Sequence, residues 1–332
     1  MSVRAWAAVR GGKAEVVVLG RLSADIYPTR LRTPLRDQRS FTRYVGGFAG
    51  NVSTGLARLR VATAIVSKAG NDGHGEFIRD FLSHEGVDVR WLGIDHTLNT
   101  PIVFCEIWPP DRFPLLFYRT PTCPDWELTT DDFDLDTVAE VPVLLASGTG
   151  LAREKSRAAH EAALERHRHT AIFDLDYRSS FWSTPGAYQE AVRAVLPRAD
   201  VIVGNEDEVR AATGMTDARA GIGALRALGP RILVLKRGGE GAVLFHDDSI
   251  IEVPPVKMEI VNGLGAGDAF LAALTHGVLR GIDLGTAVRR ANWAGAFVAS
   301  QIPCSEAMPY LRDLDAAVPF PSPLVREGRG GG

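Results

Sequence analysis

The most regular feature of the chain is a series of short, uninterrupted apolar runs separated by longer mixed stretches. The runs lack the alternation of apolar and polar residues that marks a strand with one solvated face. Such runs are typical of strands buried on both faces of a parallel sheet. The predicted strands are Val16–Leu19, Ala64–Val66, Val143–Leu145, Ala171–Phe173, Val201–Val203 and Ile232–Leu235.

Helical patterns fill the intervals between these runs. The predicted helices are Asn51–Leu59, Gly75–Glu85, Glu154–Arg168, Tyr188–Val195, Glu206–Thr213, Ala218–Leu228, Ala269–Leu279 and Leu284–Ser300. Strands that alternate with helices predict a doubly wound α/β fold with a mostly parallel sheet, in which ligands bind beyond the carboxyl ends of the strands. No internal repeat or linker divides the chain, so we expect a single domain over residues 15–325, with flexible tails at 1–14 and 326–332.

Two stretches, residues 24–45 and 100–121, break this rhythm. In the second, two apolar runs flank Pro-Pro-Asp-Arg, which predicts a β-hairpin. We expect the two inserts to form a small β-sheet lid that excludes water from an active cleft. The apolar hairpin surface near Phe104, Ile107 and Trp108 could instead meet a second subunit and give a homodimer.

Composition and charge narrow the possible partners. The 332 residues include 45% hydrophobic and 23% charged residues, which is ordinary for a globular protein. The net charge of −3 has no long basic or acidic block behind it, so nucleic acid and membrane surfaces are not expected as partners. The three cysteines form no CxxC pair, which argues against a disulfide framework or a zinc site and favours the reducing cytoplasm. A small molecule is the expected ligand.

The stretch Asn-Gly-Leu-Gly-Ala-Gly-Asp-Ala-Phe at residues 262–270 places a glycine-rich turn before a predicted helix. The backbone N–H groups of Gly265, Ala266 and Gly267 would then lie at the helix N-terminus, where they can bind phosphate. A carboxylate at that position, Asp268, suits a base that removes a proton from a hydroxyl attacking the phosphate. The alternative is that Asp268 is only the helix N-cap.

A second glycine motif, Tyr-Val-Gly-Gly-Phe-Ala-Gly-Asn, occupies residues 44–51. Gly46 and Gly47 would let a polar ligand approach the backbone closely, and Asn51 offers both a hydrogen-bond donor and an acceptor. Taken alone, this pattern favours a structural turn over a binding site.

The two glycine motifs, in this order, resemble the two signatures of the ribokinase, or PfkB, family of carbohydrate kinases, and the resemblance spans residues 15–310. It implies a Rossmann-like α/β core with a β-sheet lid, and transfer of the γ-phosphoryl group of ATP to a sugar hydroxyl. It also implies that Asp268 is the catalytic base. The implied anion hole consists of Gly265, Ala266 and Gly267, and the implied acceptor-binding residues are Asp25, Gly46, Gly47 and Asn51.

Two further elements carry the resemblance to the nucleotide side. The segment Asn-Glu-Asp-Glu at residues 205–208 resembles the family's Asn-x-x-Glu element, which implies that Asn205 and Glu208 order Mg²⁺ and phosphate through water. Oxygen ligands and retained waters suit Mg²⁺, although an N-capped surface helix explains the same residues. The segment that begins at Lys236 resembles the turn that lines the nucleotide site. The implied nucleotide-binding residues are Lys236, Gly238, Gly241 and Asn292.

Two arginines bear on the acceptor. Arg119, in Phe-Tyr-Arg, and Arg178, in Asp-Leu-Asp-Tyr-Arg, resemble positions used by the family branch that acts on acidic sugars such as 2-keto-3-deoxygluconate. A guanidinium fork matches a carboxylate better than a neutral sugar, which favours an acidic sugar as the acceptor. The resemblance further implies that the C6 hydroxyl of this acid is phosphorylated. The alternatives are an ion pair at each arginine, a neutral sugar or nucleoside as acceptor, and a regulator that binds ligands without turnover.

The chain departs from the family pattern directly before the anion hole. Many relatives carry Asp-Thr where this sequence has Asn262-Gly263, and in them the aspartate helps to bind an activating potassium ion. The resemblance therefore does not predict potassium dependence. A dehydrogenase is not expected either, because Gly-Arg-Leu-Ser after the first strand lacks the GxGxxG turn.

Overall fold

The computed structural model describes residues 13–318, and within them two sheets form. The larger sheet has nine strands in the order β13-β12-β11-β10-β9-β8-β1-β4-β5, and the smaller has four in the order β3-β2-β6-β7. The strands are β1 (Val16–Leu19), β2 (Ser23–Pro28), β3 (Phe41–Gly46), β4 (Thr63–Gly70), β5 (Asp88–Asp95), β6 (Ile102–Cys105), β7 (Leu115–Tyr118), β8 (Val143–Ser147), β9 (Thr170–Asp174), β10 (Val201–Asn205), β11 (Ile232–Lys236), β12 (Ala242–His246) and β13 (Ser249–Val253).

The six predicted core strands are confirmed as β1, β4, β8, β9, β10 and β11, which are adjacent and parallel. Strand β5 extends this sheet in parallel, whereas β12 and β13 add an antiparallel hairpin at the opposite edge. Those three strands were not predicted from the sequence. Polar residues interrupt β5, and most of β13 is exposed, so neither shows the apolar run of a buried strand.

Helices cover both faces of the large sheet. They are α1 (Phe48–Arg58), α2 (Gly73–His84), α3 (Leu135–Ala139), α4 (Glu154–Arg166), α5 (Pro185–Val195), α6 (Glu206–Thr213), α7 (Ala218–Arg226), α8 (Ala266–Leu279), α9 (Leu284–Ala299) and α10 (Leu311–Ala317). Strand β1 shows why its run is uninterrupted. Val16 and Val18 pack in the core formed with α1, α8 and α9, whereas Val17 and Leu19 pack in the core formed with α4 to α7.

The small sheet lies where the sequence predicts the lid. Strands β2 and β3 come from the 24–45 insert, and β6 and β7 form the antiparallel hairpin of the 100–121 insert. One surface of this sheet packs a cluster that includes Tyr27, Cys105 and Cys304. Its exposed apolar residues include Phe41, Leu116 and Tyr118, so the homodimer through the lid stays a prediction.

The predicted tails lie outside the described residues, except for residues 13 and 14. No helix between residues 13 and 318 is long and apolar enough to cross a membrane. Cys105, Cys123 and Cys304 are buried free thiols.

A buried arginine ties the C-terminal part of the fold to α1 and α2. Arg58 donates from Nε and Nη2 to the two carboxylate oxygens of Glu85 at 2.9 and 2.7 Å. Its Nη1 donates to the backbone carbonyls of Glu306 and Met308 at 2.8 and 2.9 Å. One guanidinium therefore fixes the segment that carries Cys304 towards the glycine-rich turn before α8.

Replacing Arg58 by methionine should destabilise the protein strongly, because Glu85 and two carbonyl groups would lose a buried partner. Breaking a buried ion pair typically costs about 3–5 kcal/mol. Chemical denaturation would measure the free energy of unfolding. Arg198→Met provides the control, because the ion pair of Arg198 with Glu165 is exposed and such pairs are worth about 0–1 kcal/mol. Equal losses in the two variants would contradict the role given to Arg58.

Candidate active site

The carboxylate of Asp268 lies in the first turn of α8 but does not cap the helix. The N-cap is Gly265, at φ 81°, and no side chain caps α8. Asp268 Oδ2 instead accepts a hydrogen bond of 2.7 Å from Asn51 Nδ2, across 217 positions of sequence. The interpretation of Asp268 as an N-cap is therefore wrong, and the two glycine motifs meet through this bond.

The surroundings of Asp268 make it more basic than a free aspartate. Burial raises its pKa to about 6, and the negative charge of Asp176 acts in the same direction. The bond from Asn51 and the charges of Arg21 and Arg178 oppose this rise. The carboxylate is thus ionised at neutral pH and well suited to accept a proton.

The glycine-rich turn at Gly265–Gly267, called the phosphate cradle after its predicted ligand, lies beside this carboxylate. Gly265 must be glycine, since a Cβ there would lie 2.6 Å from Cys304 Cβ in addition to the positive φ. A Cβ built at Gly267 would lie 3.4 Å from Lys236 Nζ, so the ammonium group stands directly at the start of α8. The N–H groups at the N-terminus of α8 and this cation together favour an anion.

Lys236 is held in place by two acids at the same edge of the sheet. Asp174, Asn205 and Lys236 end strands β9, β10 and β11 in sequence order. Lys236 Nζ lies 3.1 Å from Asp174 Oδ2 and 3.8 Å from Glu208 Oε2. Burial raises the pKa of Asp174 to about 7, and Glu208 adds to this rise while Lys236 opposes it.

Asn205 and Glu208 cap their own helix. Asn205 Oδ1 accepts from Glu208 N at 2.8 Å, and Glu208 Oε2 accepts from Asn205 N at 2.7 Å, which is a capping box. Both residues also line the cleft at α8, so capping the helix does not exclude the predicted role near a bound phosphate. No group of three or more His, Cys, Asp or Glu side chains between residues 13 and 318 is arranged to hold a metal ion.

The cleft at the start of α8 has a volume of about 870 Å³, within the range of small-molecule sites. Its walls combine the phosphate cradle with apolar side chains of the α8 and α9 region and of the lid hairpin. The predicted nucleotide residues all line it, as do several apolar ones: Lys236, Gly238, Gly241, Asn292, Phe113, Val256 and Ile260. Asn292 Nδ2 also donates to the carbonyl of Pro254 at 2.8 Å.

Asp25, Gly46 and Gly47 lie at the base of the lid, outside the lining of this cleft. Asp25 accepts hydrogen bonds from Ser23 Oγ at 2.8 Å and Tyr27 OH at 3.3 Å, and burial raises its pKa. A Cβ at Gly46 would lie 2.0 Å from Asp25 Cγ, so only glycine leaves room for this carboxylate. Gly47 is the N-cap of α1 at φ 83°.

The two arginines of the acidic-sugar prediction lie in different surroundings. Arg178 lines the cleft with 37% of its side chain exposed, and its Nη2 lies 3.2 Å from Asp176 Oδ1. Arg119 is 2% exposed and forms a buried ion pair with Asp125, stacked over Trp126. Both arginines therefore form ion pairs, as the alternative expects, but only Arg178 also lines the cleft.

Asn262 departs from the family pattern and is engaged by the protein itself. Its Nδ2 donates to the carbonyl of Ile302 at 2.7 Å, and its Oδ1 accepts from Leu264 N at 3.2 Å. The neutral side chain thus supplies a donor where relatives have a carboxylate.

Reasoning from the sequence assigned no role to Arg21, Asp174 or Asp176. Each follows or ends a buried strand at its carboxyl end, which is where a doubly wound sheet places ligand-binding residues. The position of these polar residues at or just after the ends of β1 and β9 could therefore have identified them as candidate ligand-binding residues.

Comparisons with known proteins agree with this geometry. A family model described as pfkB family carbohydrate kinase matches residues 13–310. The 5-dehydro-2-deoxygluconokinase of Shouchella clausii (strain KSM-K16) is 31% identical over 315 residues, which cover 93% of this chain and 96% of that protein.

Solved structures show the same fold. A putative ribokinase II from E. coli in complex with ATP and Mg²⁺ has a TM-score of 0.84 at 21% identity, covering 91% of this chain and 98% of that chain. A double mutant of the fructokinase from Vibrio cholerae O395, bound to fructose, ADP and potassium, has a TM-score of 0.82 at 25% identity, covering 92% and 99%. With the family model spanning nearly all described residues, the protein belongs to the pfkB family of carbohydrate kinases and is a phosphotransferase acting on a sugar hydroxyl.

Proposed function

We propose that the protein transfers the γ-phosphoryl group of ATP to the C6 hydroxyl of 5-dehydro-2-deoxy-D-gluconate, a step of myo-inositol catabolism. The observation that carries the chemistry is the bond between Asn51 and Asp268, which places a basic carboxylate beside the phosphate cradle of α8. The proposed acceptor is supported by the names of relatives about 30% identical over 90% or more of this chain, and by Arg178 in the cleft.

In the proposed reaction the acceptor hydroxyl oxygen attacks the γ-phosphorus. Its proton passes to Asp268 while the bond from the γ-phosphorus to the β,γ-bridging oxygen breaks and ADP leaves. The N–H groups at the start of α8 and the ammonium of Lys236 stabilise the charge on the transferred group. These donors are in place before substrate binds, because Asp174 and Glu208 hold Lys236 at Gly267.

ATP and Mg²⁺ fit the residues present. The cradle at Gly265–Gly267 suits phosphate oxygens, and the 870 Å³ cleft beyond it suits the nucleotide. Bound Mg²⁺ would neutralise charge on the phosphates, and Asn205 and Glu208 would meet its waters, since this ion keeps several of them. Both residues line the cleft.

The acceptor is expected to be acidic because a guanidinium group lies on the wall of the cleft that Asp268 also lines. Arg178 faces the cleft, whereas Arg119 is already neutralised by Asp125. A guanidinium fork binds a carboxylate with two parallel hydrogen bonds, which a neutral sugar cannot reproduce. Relatives acting on 2-keto-3-deoxygluconate would meet the same requirement, so that acid is the second candidate acceptor.

The purified enzyme should therefore release ADP from ATP and Mg²⁺ with 5-dehydro-2-deoxy-D-gluconate in preference to a neutral sugar. The charge pair with an arginine should raise kcat/KM for the acid by about tenfold or more over D-fructose. A coupled assay of ADP release across these acceptors and 2-keto-3-deoxygluconate measures the ratio. If D-fructose is the only acceptor that is phosphorylated, the proposed acceptor is wrong. If none of these acceptors is phosphorylated, the proposed function is wrong.

Replacing Asp268 by asparagine should lower kcat by about 10²–10⁴-fold, because the amide cannot take the proton from the hydroxyl. ATP should still bind, since the cradle and Lys236 are unchanged, and titration calorimetry would measure its Kd. Asp80→Asn is the matched control, because Asp80 is exposed on α2 away from the cleft. A D268N variant with the turnover of the control would exclude Asp268 as the base.

The pH profile of kcat/KM should show an acidic limb near pH 6. Below that value Asp268 binds a proton in the free enzyme and can no longer accept one, so the rate should fall about tenfold per pH unit. Steady-state assays between pH 5 and pH 8 would locate the limb. A flat profile, or a limb near pH 4, would show that the raised pKa of Asp268 does not govern the reaction.

A further inference from the structure

Arg21 is a buried cation whose charged partner, Asp176, lies beyond hydrogen-bond range. It follows β1, is 8% exposed, and its Nε has no hydrogen-bond acceptor among the described residues. Asp176 Oδ2 lies 3.8 Å from Arg21 Nη2. A buried guanidinium is expensive to leave only partly compensated, so its position indicates a further anionic group that is absent from the protein itself.

Asp176 compensates Arg21 only in part, because it also serves two other residues at shorter distances. Its Oδ1 faces Arg178 Nη2 at 3.2 Å, and its Oδ2 accepts from Thr149 Oγ1 at 2.5 Å. Arg178 also has a buried Nε without an acceptor. Asp176 therefore stands between two arginines that both retain unused donors.

The backbone around Arg21 is fixed from three sides. Its carbonyl accepts from Ala49 N at 2.9 Å, at the start of α1. The next residue, Leu22, donates its N–H to Asp125 Oδ2 at 2.7 Å and accepts at its carbonyl from Arg119 Nη1 at 3.2 Å. The buried pair of Arg119 and Asp125 thus acts as a positioning device for Arg21.

The charges around Arg21 leave its own charge undercompensated. Burial lowers the pKa of Arg21, and the repulsion from Arg119 and Arg178 adds to this effect. Asp176 and Asp268 oppose it without restoring the ordinary value. A further anion at this position would be stabilised by two guanidinium groups.

The position of Arg21 assigns that anion to the acceptor rather than to the nucleotide. Arg21 does not line the cleft, so it does not face the nucleotide directly. Arg178 and Asp268 do line the cleft, and both also interact electrostatically with Arg21. The charge of Arg21 lowers the pKa of both Asp25, at the lid base, and Asp268, so Arg21 lies within electrostatic range of both carboxylates.

Resting on the proposed function, we propose that Arg21 binds the carboxylate of the acidic sugar jointly with Arg178, and that Asp176 holds the two guanidinium groups apart in the free enzyme. Arg119 contributes indirectly, by fixing Leu22. Arg21 is then a determinant of specificity for acids over neutral sugars.

The test compares one acceptor in two charge states: 5-dehydro-2-deoxy-D-gluconate and its carboxamide. Arg21→Met keeps the length of the side chain but removes the charge and the fork, so KM for the acid should rise about 10- to 100-fold. KM for the carboxamide and for ATP should stay within about threefold, since neither supplies the carboxylate. Arg21→Lys should fall between the wild type and R21M for the acid, because lysine restores only a point charge.

Arg153→Met is the matched control. Arg153 stacks on Trp126 in the same aromatic region but donates to the carbonyls of Ala152 and Phe181, so its loss should leave the acid-to-carboxamide ratio unchanged. Circular dichroism and thermal unfolding would show that each variant is folded at the assay temperature. If R21M unfolds, the ratio measured for R21K decides.

The outcomes separate two failures. A wild-type enzyme that does not phosphorylate the acid overturns the proposed function. If the wild-type enzyme is active, three results for R21M and R21K overturn the role of Arg21 alone. These are an equal rise in KM for the acid and the carboxamide, a fall in kcat without a change in KM, and no change at all. A selective rise in KM for the acid supports it.

Discussion

Buried carboxylates that cannot be left uncompensated determine the layout of the active site. Asp174, Asp176 and Asp268 converge at the carboxyl edge of the sheet, where removing each charge from water costs several kcal/mol. Lys236, at 3.1 Å from Asp174, and Arg178, at 3.2 Å from Asp176, offset this cost. The same pairing holds both cations in position before any substrate arrives, which is what electrostatic preorganisation requires.

The acceptor side and the base are connected by close packing as well as by charge. Cys304 packs against the glycine-rich turn, because a Cβ built at Gly265 would lie 2.6 Å from the Cβ of Cys304. Its neighbour Ser305 donates from Oγ to the carbonyl of Val45 at 2.6 Å, on lid strand β3. The lid base, the C-terminal segment and the start of α8 therefore have fixed relative positions. Phosphoryl transfer depends on such geometry, because it needs the attacking and leaving oxygens in line.

Sequence patterns predicted the parts of this structure that rest on local signals. The run Val201–Val203 and the helix Glu206–Thr213 were readable because a buried parallel strand and a capped amphipathic helix each have a distinct periodicity. The exposed edge strand β13 has no such run and was missed. Partners of Arg119 and Arg21 could not be predicted either, since Asp125 and Asp176 reach them only through the tertiary fold.

The contact of Asn51 with Asp268 uses only one of the two polar atoms of the side-chain amide. Its Nδ2 donates to the carboxylate at 2.7 Å and limits the rise of the Asp268 pKa, so the base stays ionised at neutral pH. Its Oδ1 is buried and has no donor among the described residues, an arrangement that a native structure rarely leaves unfilled. In the proposed reaction, a sugar hydroxyl that donates to Asn51 Oδ1 would lie beside Asp268. That carboxylate would then take the proton from the adjacent hydroxyl. In that reaction, the amide at the start of α1 would therefore orient both the acceptor and the base from one side chain.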